Sequence, residues 1–118
     1  MNKLIHIETR IMEKRFEAEL VSPSRDPVES AKLRIDIGWA FREKGAITDD
    51  IEDYASAKQN LNEAIAILEG LDKPLLTGKA YYYLGIVEMS LAKQGESMAA
   101  AIRSFHGALE YLEKDVKP

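Results

Sequence analysis

Apolar residues recur every three or four positions along most of this chain, which is the spacing of one face of an α-helix. The first stripe covers residues 2–20 and begins the pattern with Leu4, Ile7 and Ile11. Four further apolar residues lie alongside it: Ile5, Met12, Phe16 and Leu20. These positions predict an amphipathic N-terminal helix.

A second helix is predicted to start at Asp26-Pro27-Val28-Glu29, which supplies an N-cap acid, a proline in the first turn and a glutamate at the reciprocal capping position. The segment 33–41 alternates apolar and polar residues, as a strand would, but its flanking signals favour a helix. Gly45 is interpreted as its C-terminal signal. Such a helix is apolar on two sides, with Ile35 and Trp39 on the second, so that side must be covered or offered to a ligand.

Three more helices follow from the same spacing. One starts among the acids of 48–53 and ends at Gly70, with a buried stripe of Tyr54, Ala57, Leu61, Ala64 and Leu68. The next begins at Pro74, runs to about Lys93 and includes Tyr81, Leu84, Gly85 and Val87. The last carries Ala101, Phe105, Ala108 and Leu112. The pattern therefore predicts five helices and no strand.

The second part of the chain repeats the first. A shift of 47 places Pro27, Ile37 and Gly38 on Pro74, Leu84 and Gly85. A shift of 44 places Ala57, Leu61, Ala64, Leu68 and Pro74 on Ala101, Phe105, Ala108, Leu112 and Pro118. We expect one domain, residues 1–118, with an N-terminal helix in 1–22 and repeat units at 27–73 and 74–118.

The second unit resembles the tetratricopeptide repeat. Its Ala80-Tyr81-Tyr82-Tyr83-Leu84-Gly85 places an aromatic before a Leu-Gly pair, and Ala101, Phe105 and Ala108 follow at the spacings of the repeat's second helix. The first unit matches more loosely, with Arg34 in place of an aromatic, and Glu88 replaces an aromatic in the second. The resemblance implies an all-α fold of two long antiparallel helical hairpins.

The resemblance also implies a groove, lined by the first helix of each hairpin, that holds a segment of another protein. The groove residues implied here are Lys32, Ile35, Asp36, Trp39, Arg42 and Glu43 from the first unit and Lys79, Tyr82, Tyr83, Ile86 and Met89 from the second. The apolar anchors would be Trp39, Tyr82 and Tyr83, with the cations setting orientation. Alternatively, Trp39 and Tyr82 pack against the N-terminal helix or each other.

A carboxylate clamp of the kind found in part of that family is disfavoured, because Ile35 and Trp39 stand where it needs Lys and Asn. Two units also leave the last helix with an uncovered apolar side. We therefore expect this side to pack on a second copy in a homodimer, on a partner protein or on the rest of a longer protein, with a monomer as the alternative. A self-associating or assembly-chaperone subunit is the second hypothesis for the function.

Composition narrows the function further. The chain has 118 residues, a formal net charge of −4 and no cysteine. Nucleic-acid binding is disfavoured, since no concentrated basic surface is visible. No segment resembles a signal peptide or a membrane span, so we predict a cytoplasmic protein.

No catalytic, cofactor or metal site is predicted. The chain lacks a phosphate-binding glycine loop, a nucleophile elbow and a thiol, and its two histidines, His6 and His106, are not in Glu-x-x-His motifs. The acidic cluster at 49–53 lacks the spacing of a calcium loop and is interpreted as a capped helix start. A metabolite sensor or enzyme is the third and weakest hypothesis.

Overall fold

The computed structural model describes residues 2–116 and arranges them as a stack of helices. Five α-helices occur in that range: α1 (Lys3–Leu20), α2 (Pro27–Thr48), α3 (Ile51–Leu68), α4 (Pro74–Lys93) and α5 (Ala99–Val116). No strand is assigned to the described part of the chain. The prediction of an all-α fold built from helical hairpins is confirmed.

The helices are stacked in chain order. α2 pairs with α3 and α4 pairs with α5 as hairpins, α1 covers α2, and α3 packs against α4 and joins the two hairpins. Among the described helices, α5 contacts only α4. The first hairpin is therefore enclosed between α1 and α4, and the second is covered on one side.

Glycines allow the two helices of each hairpin to approach closely. A Cβ atom on Gly38 would lie 2.8 Å from the Leu61 Cγ, and one on Gly85 would lie 2.6 Å from the Phe105 Cε1. Both distances are too short for a real side chain. The repeated glycine and the repeated large residue on the facing helix therefore form the same contact in both hairpins.

The core is centred on α3. All five stripe residues predicted for this helix are buried, and Leu61, Ala57 and Ala64 are 0% exposed. On α2, Ile35 and Ile37 are 1% and 2% exposed, so this helix is covered on both of its apolar sides. Burial of such side chains contributes about 1.5–3 kcal/mol each, which makes this region the main source of stability.

The sequence interpretation of Gly45 as a helix end is wrong. α2 continues to Thr48 and ends at Asp49, which has a left-handed backbone with φ of 56°. Gly45 is buried, and a Cβ there would lie 3.0 Å from the Tyr54 ring. It is small because α3 packs closely at this point, not because the chain turns.

The predicted capping box at the start of α2 is also absent. Pro27 does occupy the first turn, but the Asp26 side chain makes no capping hydrogen bond. The Asp26 backbone carbonyl instead accepts from the Ser30 N–H at 3.1 Å. The start of α2 is set by proline and the helix's own backbone bonding.

α1 has two apolar faces. Ile7 and Ile11 are buried against the first hairpin, at 3% and 5% exposure. The residues predicted to lie alongside them are on the opposite side and exposed: Ile5, Met12, Phe16 and Leu20. No helix in residues 2–116 is long and apolar enough to span a membrane.

Candidate partner-binding site

A shallow trough runs along α2 and α4 on the side where α1 meets α2. It joins a depression of about 270 Å³ beside Trp39 and Tyr83 to one of about 240 Å³ beside Lys32 and Lys79, and Asp36 lines both. At its far end, between the starts of α2 and α4, it opens into a wider depression of about 470 Å³. We call this feature the trough, and its lining residues are Arg10, Lys14, Lys32, Ile35, Asp36, Trp39, Glu43, Leu76, Lys79 and Tyr83.

An aromatic pair forms the centre of the trough. The rings of Trp39 and Tyr83 are stacked with centroids 4.2 Å apart and planes inclined by 29°. Both residues are half-buried. The pair therefore joins α2 to α4 and also presents aromatic surface, so the two sequence hypotheses for Trp39, anchor and packing residue, are compatible.

Two cations flank this pair. The Arg42 guanidinium lies over the Trp39 ring, 4.9 Å from its centroid, and the Lys79 ammonium lies 5.5 Å from the centroid of Tyr83. Each contact is worth roughly 0.5–1 kcal/mol at a partly exposed site. The aromatic pair thus has a cation at each end.

The acids of the trough are already paired with α1. Arg10 donates to Glu43 at 2.5 Å, and Lys14 lies 3.9 Å from Asp36. These contacts tie α1 to α2. Within residues 2–116, no carboxylate lies within ion-pairing distance of Lys32, Arg42 or Lys79. The free charge along the trough is therefore positive, although the net charge of the chain is −4.

Arg42 also has an unused hydrogen-bond donor. Its Nε atom is buried and has no hydrogen-bond partner among the described residues. A guanidinium presents five N–H donors in a fixed plane. Stacking on Trp39 fixes that plane, so the remaining donors have a defined direction.

The predicted groove residues divide into three groups. Lys32, Asp36, Trp39, Lys79 and Tyr83 line the trough together with Glu43, and Arg42 stacks at its edge. Ile35 reaches the trough only as its floor and is 1% exposed, so it is a core residue. It has no surface to offer a partner in this conformation.

The third group does not line the trough. Tyr82 is 49% exposed, and its ring lies 5.9 Å from that of Phe105 on α5. Met89 is 38% exposed and Ile86 is half-buried. Tyr82 and Tyr83 remain neighbours, at 6.2 Å, but they belong to adjoining surfaces of α4.

Sequence reasoning missed the contribution of α1. Arg10 and Lys14 line the trough although the N-terminal helix has no counterpart in the repeat. A signal was present: these cations are four residues apart and face Asp36 and Glu43, which are seven apart on α2. Because opposite charges attract, pairing the basic side of α1 with the acidic side of α2 would have indicated which side of α1 meets α2.

The acidic cluster at 49–53 is used within the fold. The Asp50 side chain accepts from the Glu52 N–H at 2.9 Å and caps α3. The Thr48 hydroxyl donates to Asp53 at 2.7 Å, and Lys44 lies 3.5 Å from the same carboxylate. The described residues contain no group of three His, Asp or Glu side chains placed to hold a metal ion.

Comparisons with known proteins give no relative: no family model matches the chain, and neither curated proteins nor solved structures yielded a significant match. The tetratricopeptide resemblance therefore stays a prediction from the residues.

Proposed function

We propose that this protein is a non-catalytic interaction module that holds a segment of a partner protein in the trough between α2 and α4. The observation that carries the proposal is the pairing of a half-buried aromatic stack, Trp39 on Tyr83, with cations that have no carboxylate within ion-pairing distance in residues 2–116. Aromatic and arginine side chains are the commonest centres of binding energy at protein interfaces.

The trough favours one kind of segment. An apolar or aromatic side chain of the partner would lie on the Trp39 and Tyr83 rings, and acidic groups on either side of it would reach Arg42 and Lys79. Lys32, which is exposed and lines the same depression as Lys79, would bind a further acid towards the helix starts. The expected ligand is a short acidic segment with an apolar residue at its centre.

A charge-reversal experiment tests this proposal. Peptides selected from a random library on the wild-type chain would be measured against the double variant Lys32→Glu, Lys79→Glu. Both lysines are exposed, so the fold should be unaffected. We expect selected peptides to be acidic and their affinity to fall by about 10-fold or more.

The matched control is the double variant Arg25→Glu, Arg103→Glu. It makes the same change in net charge at two exposed residues outside the trough. This variant should bind the peptides within about twofold of wild type, apart from long-range effects screened by salt. Equal losses in both double variants would contradict a role for the trough.

Trp39→Ala separates anchoring from packing. Loss of peptide binding with an unchanged unfolding midpoint would support an anchor role for Trp39. A loss of roughly 3–5 kcal/mol of folding stability, as for a truncated core aromatic, would make Trp39 structural.

A further inference from the structure

The outer side of the second hairpin carries two parallel rows of exposed apolar side chains. One row on α4 is Leu75, Tyr82 and Met89, and the other on α5 is Ile102, Leu109 and Val116. Successive members of each row are seven residues apart, so both rows run straight along their helices. All six are 38–78% exposed, and we call this surface the terminal face.

The two rows form one continuous surface. Between them, Phe105 and Leu112 of α5 fill the space over Gly85 and Gly78 of α4, where a Cβ would lie 2.6 Å and 3.1 Å from these side chains. These contacts set Tyr82 level with Leu109 across the hairpin, and the Tyr82 ring lies 5.9 Å from Phe105. The terminal face is therefore a continuous apolar surface across two antiparallel helices.

The equivalent surface of the first hairpin is buried. Ile35, which is 47 residues before Tyr82, is 1% exposed, and Ile65, which is 44 residues before Leu109, is 6% exposed. The second hairpin packs on the first there, through α4 against α3. The hairpin geometry thus accepts helical packing at this surface, and within residues 2–116 nothing occupies it on the second hairpin.

We propose that a second copy of this chain covers the terminal face, with α4 of each copy lying over α5 of the other. The two-fold axis runs parallel to the helices, so the two hairpins form an antiparallel four-helix bundle. Leu75 then lies opposite Val116 of the second copy, Tyr82 opposite Leu109, and Met89 opposite Ile102. The surface is complementary to itself in three layers.

The charges at the edges of the terminal face select this arrangement. The outer edge of α4 carries Lys79 and Lys93. The outer edge of α5 carries Glu113, with Glu110 and Arg103 beside it, so it is acidic on balance; all five residues are exposed. An axis parallel to the helices places the basic edge of each copy against the acidic edge of the other. An axis perpendicular to the helices would place like charges together, which is unfavourable.

The area is also suited to a dimer. At roughly 150–200 Å² for a fully exposed large side chain, the six residues present on the order of 600 Å² in one patch. That is at the upper limit of what monomeric soluble proteins expose. With its charged edges the patch approaches the ~800 Å² per partner of a stable interface.

Sedimentation equilibrium of the full chain tests the proposal. We expect a reversible dimer, and Leu109→Lys should raise its dissociation constant on the order of 100-fold or more, because the substitution enters the interface twice. The control is Leu20→Lys on the exposed side of α1, where the same residue type is 71% exposed against 59% for Leu109. The control should leave the dissociation constant unchanged.

Thiol cross-linking tests the geometry, since the chain has no cysteine of its own. Tyr82→Cys and Leu109→Cys are made as separate proteins and oxidised in air with copper phenanthroline, alone and mixed, because a disulfide forms only between directly facing thiols. The mixture should give a cross-linked dimer, because facing helices in a bundle are about 8–10 Å apart. Each protein alone should not, because its two thiols would lie on diagonal helices.

Three results would overturn the proposal. The first is a monomer at every concentration up to the millimolar range, and the second is a dimer that Leu109→Lys leaves intact or Leu20→Lys abolishes. The third is efficient cross-linking of either single variant alone. Lys79 lies beside both the trough and the terminal face, so the oligomeric state of the Lys32→Glu, Lys79→Glu variant is measured as well. Leu109 and Leu20 do not line the trough, so failure here leaves peptide binding in the trough unaffected.

Discussion

Arg34 in the first hairpin and Tyr81 in the second occupy equivalent positions, 47 residues apart, and each crosses to the second helix of its own hairpin. Arg34 donates to Glu63 at 2.6 Å. The Tyr81 ring instead lies on Gly107, where a Cβ would be 3.1 Å away, and Gly107 is the equivalent of Glu63. An ion pair and an aromatic contact thus serve the same junction.

Two helical turns after Arg34 and Tyr81, the polar and aromatic residues are exchanged between the hairpins. Phe41 in the first hairpin is 8% exposed, whereas its equivalent Glu88 accepts a hydrogen bond from Ser104 at 2.5 Å. Lys58, on α3, lies 3.5 Å from the same Glu88 carboxylate. Each hairpin therefore has one polar and one aromatic contact, in opposite order. The repeat preserves the spacing of the helices through glycine, and does not preserve the chemistry on either side of it.

The largest expected difference between the hairpins is in the unfolding free energy lost when the residue packed on the glycine, Leu61 or Phe105, is truncated. Leu61→Ala should cost about 3–5 kcal/mol of unfolding free energy, because Leu61 is 0% exposed between three helices. Phe105→Ala should cost roughly half as much, although phenylalanine is larger, because Phe105 is half-buried beside the terminal face. Urea unfolding at concentrations where the chain is monomeric gives both values. Equal costs under those conditions would contradict the difference in enclosure.

A smaller difference is expected between the two ionic contacts. Lys58→Met should cost about 1–3 kcal/mol, because it leaves the Glu88 side chain, which is 7% exposed, without its cation. Arg34→Met should cost less than ~1 kcal/mol, because the Arg34 and Glu63 side chains are 26% and 41% exposed.

The control for this pair is a double-mutant cycle with Glu88→Gln. A neutral glutamine at position 88 needs no cation beside it. Lys58→Met should therefore lower the unfolding free energy by less in the Glu88→Gln background. If the cost of Lys58→Met is the same in both backgrounds, the contact between Lys58 and Glu88 does not stabilise the second hairpin.

The smallest effect is a pH dependence that originates at Tyr81 in the second hairpin. Burial raises the pKa of Tyr81 above 10.0, and the nearby Tyr111, Glu69 and Glu110 raise this pKa further. The unfolded chain therefore loses the Tyr81 proton at lower pH than the folded chain, so stability is retained below pH 10 and falls as pH rises beyond it. The unfolding free energy of Tyr81→Phe should decline less than that of wild type between roughly pH 9.5 and 11, the range in which tyrosine side chains titrate. Parallel declines would show that Tyr81 is not involved.

The sequence was sufficient for the helices and their pairing because both depend on local spacing. The stripe of α3 and the repeated glycine contacts at Gly38 and Gly85 were readable from apolar periodicity and from the 47-residue shift. Gly45 was misinterpreted because a glycine near a helix end is usually a cap. Its equivalent 47 residues later is Ala92, a residue with no preference for a left-handed turn, and this was the available signal that size mattered there.

The candidate site was only partly predictable, because exposure depends on neighbours in space. Ile35 and Tyr82 occupy equivalent positions in the repeat. The second hairpin covers Ile35, whereas nothing in the described chain covers Tyr82, which stays exposed. No local pattern distinguishes them. The stacking of Trp39 on Tyr83 likewise joins residues 44 apart, on two different helices.

The stack in the trough also makes the protein its own optical probe. Trp39 is the single tryptophan of the chain, and its ring contacts both the Tyr83 ring and the Arg42 guanidinium. Tryptophan fluorescence therefore originates from one place, where α2, α4 and the proposed ligand would meet. Its intensity and wavelength will report any change at that junction in unlabelled protein.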